Sequence, residues 1–166
     1  MPAGNVDALA IHDVAVVGAG PVGATFALAL ARAGLDMVVL DARAEGTTGR
    51  GDRSLALSHG ARLIFERLGV WTALASQPGA VTPIVAIDIS QARGFGNAYL
   101  DAADVGLPAL GYVVSYVALQ RVLDAAMRAA GIIVAHGQAV DQVVAAPGGA
   151  SLRRTRVGEP LQARLA

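Results

Sequence analysis

Two short apolar runs set the frame of the chain. Val14-Ala15-Val16-Val17 and Met37-Val38-Val39-Leu40 are rich in β-branched residues and unbroken by polar ones, the pattern of strands buried on both faces. Between them Ala and Leu predominate from about Val22 to Ala33, which predicts a helix that Gly34 ends. Farther on, Ser58 to Gly69 reads as a helix with Ser58 as N-cap, Leu63, Ile64 and Leu68 as the buried stripe, and Gly69 as the stop. Val70 to Leu74 is a short helical turn with Trp71 as a core aromatic. Ile84 to Ser90 alternates as a strand, Arg93-Gly94-Phe95-Gly96 turns, and Asn97 to Asp101 returns, giving a β-hairpin. Gly111 to Val114 leads into a helix from about Val117 to Ala130, apolar at Leu119, Val122, Leu123, Ala126 and Met127. Gly131 ends it, and Ile132 to Ala135 is a third apolar strand. Val140–Ala145, Ala150–Arg156 and Leu161–Ala166 are short strands separated by Pro147-Gly148-Gly149 and Gly158-Glu159-Pro160. They predict an antiparallel meander laid across the main sheet. The fold class is therefore α/β, with an inserted hairpin.

Composition changes this picture in two respects. The chain of 166 residues suffices for a domain with a real core, yet it is 54% apolar and only 16% charged. So greasy a domain implies surface covered by something else, or work beside apolar partners. Thirteen basic residues balance thirteen acidic ones, so no charge excess advertises a nucleic acid or a membrane surface. Cysteine is absent, which excludes disulfides and thiolate chemistry and fits a reducing, cytoplasmic compartment. Val14 to Ala31 carries no charge, but its glycines and Pro21 break it, and strand, turn and helix account for it better than a membrane span. A signal peptide fits worse, since Asp7, His12 and Asp13 precede the run with no Lys or Arg. Residues 1–10 read as a loose tail.

Candidate chemistry is concentrated at the first turn. Gly18-Ala19-Gly20-Pro21-Val22-Gly23 matches G-x-G-x-x-G, follows a strand and opens a helix. Gly18 permits the tight turn, Gly20 lets a pyrophosphate approach the backbone, and Gly23 allows close packing of helix on strand. The helix start offers unpaired N–H groups to phosphate. Asp41 lies eighteen residues past Gly23, where a carboxylate can accept hydrogen bonds from an adenosine ribose. It would repel a 2′-phosphate, which favours FAD or NAD over NADP at this site. The glycine-rich loop from Ala42 to Arg53 holds three arginines. Arg43 and Arg53 are read as facing the ligand and Arg50 as solvated. His59 reads as a surface or capping residue and His136 as structural. Arg153-Arg154-Thr155-Arg156 reads as the solvated face of an edge strand. No repeats, low-complexity tracts or metal-ligand clusters are present in the sequence.

Together these features resemble the FAD-dependent aromatic hydroxylases, the single-component flavoprotein monooxygenases. The residues that carry the resemblance are Asp13 through Ala24, then Asp52-Arg53-Ser54-Leu55-Ala56-Leu57-Ser58, then Leu68-Gly69-Val70-Trp71. Gly111-Tyr112-Val113-Val114 with Leu119-Gln120-Arg121-Val122-Leu123 completes the set. The branch most similar hydroxylates polyprenyl phenols in ubiquinone biosynthesis.

The resemblance implies a Rossmann-like FAD-binding sheet in which Gly18, Gly20, Pro21, Val22 and Gly23 hold the pyrophosphate. Asp41, where many relatives have Glu, would bind the adenosine ribose, with Ala42 and Arg43 at the adenine end. Arg53 would contact the cofactor from its loop, and the backbone at Val140 would meet the adenine. Where many relatives place a polar residue beside the flavin, this chain has Tyr116, and Gln120 is the alternative candidate. NAD(P)H would be the transient reductant, and an aromatic or polyprenyl phenol the substrate. The flavin would carry the oxygen chemistry, so no catalytic side chain and no metal is assigned.

The family's second FAD fingerprint, ending in Asp-Gly, and its later Gly-Asp motif have no counterpart here. Residues 11–166 are therefore expected to be an incomplete FAD-binding domain, the amino-terminal part of a hydroxylase that alone holds FAD weakly or not at all. The hairpin within 80–110 would contribute to the substrate domain. Such an enzyme is expected to be cytoplasmic, with peripheral association with the inner membrane or a biosynthetic complex. Two other readings stay open: an NAD-dependent dehydrogenase or FAD reductase, and a non-catalytic nucleotide-binding module.

Overall fold

The computed structural model describes residues 11–47, 51–91, 94, 96–155 and 157–166, those at 157–159 by backbone alone. The expected tail 1–10, Arg50, most of the turn at 92–95, and Arg156 lie outside the described residues. In chain order the elements are β1 (Ile11–Val17), α1 (Pro21–Leu30), β2 (Met37–Asp41), β3 (Ser54–Ser58), α2 (His59–Arg67) and α3 (Trp71–Ala75). They continue as β4 (Val81–Ile84), β5 (Ala86–Ser90), β6 (Asn97–Asp101), a single 3-10 turn at Ala103–Val105, β7 (Gly111–Ser115) and α4 (Tyr116–Ala129). The last four strands are β8 (Val134–His136), β9 (Val140–Ala146), β10 (Gly149–Arg154) and β11 (Val157–Leu165). The chain divides into two compact units, residues 1–48 with 123–166, and residues 49–122.

The first unit is a six-stranded sheet in the order β8-β2-β1-β11-β10-β9. β8, β2, β1 and β11 run parallel, whereas β9, β10 and β11 form an antiparallel meander. Leu152, Leu161 and Ala163 of the meander share one core cluster with Ala15, Val38, Leu40 and Ala135 of the parallel strands. The meander, expected to lie across the main sheet, instead continues that sheet edge to edge, because β11 is hydrogen-bonded both to β1 and to β10. Its last strand also enters the ladder, pairing Ile11 with Gln162 and Val14 with Leu165. The expected break at Gly158-Glu159-Pro160 is absent, because β11 runs through it from Val157. Proline offers no N–H to a ladder. Here the pairing with β10 shifts register between Leu152 and Arg154, and Pro160 falls opposite that irregularity.

A second correction concerns the arginine cluster. β10 lies between β9 and β11, so it is an interior strand. Arg154 is buried, 5% exposed, whereas Arg153, paired with Asp141, and Thr155 are at the surface. Alternation explains the difference: Arg154 falls on the same side of β10 as Leu152, which faces the core.

The second unit contains the three-stranded antiparallel sheet β3-β7-β4 and the separate hairpin β5-β6. β3 was not anticipated as a strand, although Ser54-Leu55-Ala56-Leu57-Ser58 alternates in burial as it does in polarity. Ser58 does cap α2, its hydroxyl accepting from the Ala61 N–H at 3.1 Å. Replacing Ser58 by Ala is expected to destabilise the protein by about 1 kcal/mol, read from chemical denaturation. The buried stripe of α2 is rotated from the expected one. Phe65 is 5% exposed while Leu63 and Ile64 are 41% and 49% exposed. The aromatic ring takes the inward position, and Leu68, half-buried, shares its face. Trp71, expected in the core, is also half-buried, meeting the Tyr112 ring edge-on at 4.9 Å between centroids.

The expected strand 84–90 is divided at Val85, where the chain passes from β4, paired with β7, to β5, paired with β6. The register of the hairpin sets Ile87 opposite Leu100 and Ile89 opposite Ala98, and Asp88 opposite Tyr99 on its other face. Ile87, Ile89 and Leu100 are all exposed, so one face of the ribbon is an open apolar surface. No described helix is long and apolar enough to cross a membrane.

Candidate functional site

Three glycines at the head of α1 answer three different demands. Gly18 stands at φ +97°, a conformation that residues with a Cβ rarely adopt. A Cβ on Gly23 would lie 1.9 Å from the Gly18 carbonyl oxygen and 3.3 Å from Val16, so strand and helix touch there backbone to backbone. Gly20, the N-cap, is extended at φ −67° and ψ 179°, which any residue can adopt. A Cβ there would meet no atom within 4 Å. Neither backbone nor packing asks for glycine at position 20.

The helix behind this turn begins with unmet donors. Pro21 has no N–H, and the first helical bond runs from Ala24 to the Gly20 carbonyl at 2.8 Å. The amides of Gly20, Val22 and Gly23 thus precede the helical ladder. No side chain caps this end and no acid lies in its first turn. By contrast the start of α2 is closed by Ser58. At α4, Asp52 accepts from the Val117 N–H at 3.2 Å and from the Ser115 hydroxyl at 2.8 Å, while Ser115 Oγ accepts from Ala118 at 3.1 Å. Only the α1 end of these three keeps its partial positive charge uncompensated by a side chain. The residues present fit a diphosphate.

Asp41 sits at the end of β2, 4% exposed, directly beside this turn. Its Oδ2 accepts from the Ala19 N–H at 2.7 Å and from Arg43 Nη2 at 2.8 Å. Its Oδ1 accepts from the Arg43 N–H at 2.7 Å and from Arg43 Nε at 3.0 Å. Burial is the largest single influence on this carboxyl and alone would raise its pKa. Together the Arg43 side chain, the two backbone amides and the guanidinium charge outweigh it and hold the pKa below the usual carboxylate value. Ala42 is exposed. The loop after β8 joins this corner, since Gly137 N–H donates to the Arg43 carbonyl at 2.9 Å and Gln138 N–H to that of Asp41 at 2.8 Å. Thr155 N–H in turn donates to the Ala139 carbonyl at 2.9 Å, and Val140, half-buried, packs against the core cluster.

Gly18, Gly20, Pro21, Val22, Gly23, Asp41, Ala42, Arg43 and Val140 all belong to the first unit. Arg53 and Gln120 belong to the second. Arg53 is exposed, its guanidinium 4.4 Å from the centre of the Tyr116 ring, and its carbonyl accepts from the Tyr116 N–H at 2.8 Å. Gln120 is completely buried in α4. His59 stacks on Tyr112 at 6.5 Å, away from any acid partner among the described residues. No group of described residues could hold a metal ion. Three participants escaped the sequence reading. Ala19 supplies the amide that ties the glycine turn to Asp41, and Asp52 with Ser115 closes α4. For Asp52 the signal was an acid two residues ahead of β3, the strand that pairs with β7; for Ala19, whose contribution is backbone, the sequence carried none.

The fold described above has counterparts among known proteins. The chain is similar to the p-nitrophenol 4-monooxygenase PnpA from Pseudomonas putida DLL-E4, with 18% identity and a TM-score of 0.67 over 93% of this chain and 39% of that one. It is similar to PieE, a flavin-dependent monooxygenase solved with FAD and substrate, with 21% identity and a TM-score of 0.69 over 95% of this chain and 29% of that one. PyrE3, the Diels-Alderase of pyrroindomycin biosynthesis, matches with 25% identity and a TM-score of 0.61 over 93% of this chain and 31% of that one. The chain thus spans less than two-fifths of the length of each. No curated protein matches the sequence. The family described as FAD binding domain matches residues 12–164. The open helix mouth, the acid at the end of the second strand and that match over nearly the whole length lead to one conclusion: the chain belongs to the FAD binding domain family.

Proposed function

We propose that this chain is the FAD-holding part of a flavin-dependent monooxygenase that hydroxylates an aromatic, phenol-type ring. The observation that carries the reading is Gly20, a glycine that neither conformation nor packing requires, at the mouth of an uncapped helix. A missing side chain there leaves room for something outside the protein. In this reading the amides of Gly20, Val22 and Gly23 bind the diphosphate, and the helix end favours its charge. Asp41, Ala42, Arg43 and the backbone at Val140 border the adenosine end. Arg53 is assigned to the same cofactor on the resemblance, and the burial of Gln120 fits packing within α4. The chemistry that FAD supplies when bound is reduction by NAD(P)H and activation of dioxygen for transfer of one oxygen atom to the ring.

The substrate we assign is a polyprenyl phenol. It is supported by the resemblance at Asp52–Ser58 and Leu68–Trp71 and by the apolar composition. The open apolar face of the hairpin suits a neighbouring substrate domain or an apolar partner, including one at the inner membrane. One comparison favours keeping a second reading: the same fold carries a Diels-Alderase, so fold does not dictate hydroxylation.

FAD titration followed by flavin fluorescence tests the proposal. Saturable binding, displaced by ADP and weakened roughly tenfold or more by Gly20→Val, is the expected result; the loss of even one charge-assisted hydrogen bond has that size. Absence of saturable binding both in this chain and in the full-length protein overturns it. With FAD bound, NADH oxidation stimulated by a phenol selects hydroxylation, and FAD binding without that stimulation selects the second reading.

A further inference from the structure

Asp41 presents a disagreement between its expected role and its surroundings. A carboxylate has about four acceptor positions, two on each oxygen. Here four protein donors occupy them: Ala19 N–H and Arg43 Nη2 on Oδ2, Arg43 N–H and Nε on Oδ1. All four lie between 2.7 and 3.0 Å, and the side chain is buried. A ribose hydroxyl could be accepted only by breaking the two-pronged contact with Arg43, which is among the strong hydrogen bonds of proteins. The aspartate reaches the Ala19 amide, inside the glycine turn, at 2.7 Å.

We infer that Asp41 is a positioning residue rather than a sugar ligand: it fixes the glycine turn through Ala19 and the guanidinium of Arg43. The adenosine 2′-hydroxyl then adds little to affinity. What Asp41 contributes to nucleotide binding is the preformed shape of the turn whose amides meet the diphosphate. The inference rests on the FAD reading for its ligand but not for its structural half.

Two measurements separate these. In the first, the chain is titrated with FAD and with the FAD analogue that lacks the adenosine 2′-hydroxyl. A sugar hydroxyl held by a carboxylate is worth roughly tenfold or more in affinity. The expected difference is within about threefold, below that scale. A loss of tenfold or more that disappears in Asp41→Asn overturns the inference and leaves the FAD reading intact. If neither flavin binds, to this chain or to the full-length protein, the FAD reading falls, and the second measurement decides the positioning role without any nucleotide. Thermal melting of the nucleotide-free protein is expected to show Asp41→Asn lowered by about 5 °C or more, a shift typical of losing a buried contact in a domain of this size. An unchanged melting temperature overturns the inference.

Discussion

Replacing Gly23 by Ala is expected to abolish the folded first unit, or to leave it so weakened that little native protein survives purification. The added methyl would lie 1.9 Å from the Gly18 carbonyl oxygen, with the Gly18 carbonyl carbon at 3.1 Å. These are backbone atoms in the turn itself and cannot rotate away as a side-chain tip can. Gly18 is held by its own N–H, bonded to the Leu40 carbonyl at 2.7 Å, so relief requires moving α1 away from β1. That would expose Ala24, Ala27 and Leu28, all buried on α1. Overpacking of a core by one methyl group commonly costs about 1–3 kcal/mol, and here, against fixed backbone, about 3 kcal/mol or more. Circular dichroism and urea denaturation check the result. Gly20→Val is the control: its side chain enters open space, and the same denaturation curve is expected to be unchanged. Equal stability of Gly23→Ala and the parent would contradict the close packing of helix on strand.

The second large effect is expected from Arg43→Ala, and it carries a pH signature. Removing the guanidinium strands a buried carboxylate, which costs about 3 kcal/mol, the low end of the usual range because the Arg43 side chain is 28% exposed. The parent Asp41 has a folded pKa below its unfolded value. The stability it contributes is therefore present above the unfolded value of 3.8 and is lost as pH falls through the folded pKa. In the variant the largest lowering influence is gone while burial remains, so the carboxyl shifts upward. It then takes up a proton on acidification, and that relieves the stranded charge. The destabilisation of Arg43→Ala relative to the parent is thus expected to be greatest near neutrality and to shrink toward acid pH. Urea midpoints measured across the acidic range would show it. A constant difference would mean that Arg43 contributes packing rather than charge.

What could be read from the sequence was whatever two independent signals agreed on. β1, α1 and β2 follow from apolar runs that glycine punctuates, and both signals point to the same borders. α1 nevertheless ends three residues before the predicted Ala33, because Ala31 to Gly34 form a turn. The glycine cradle was legible because its chemistry resides in the absence of side chains at fixed spacing. β3 was lost because Ser58 serves both as its last residue and as the cap of α2, and the cap is the louder signal. The inward side of α2 and the burial of Arg154 depend on what lies opposite, and local pattern carries no such information. The saturation of Asp41 was equally invisible. It depends on the path of Arg43, two residues away, folding back on its neighbour.

The ladder joins β1 directly to β11, the first described strand to the last described one. A nascent chain leaving the ribosome therefore carries an apolar strand with one flank unpartnered until residues near 165 emerge, on the order of ten seconds later at ordinary rates of synthesis. During that interval the polypeptide is open to capture by chaperones or by another copy's strands. A pairing so distant in sequence closes late, after loop entropy has been overcome, which leaves yield in a cell open to translation tempo as well as to final stability.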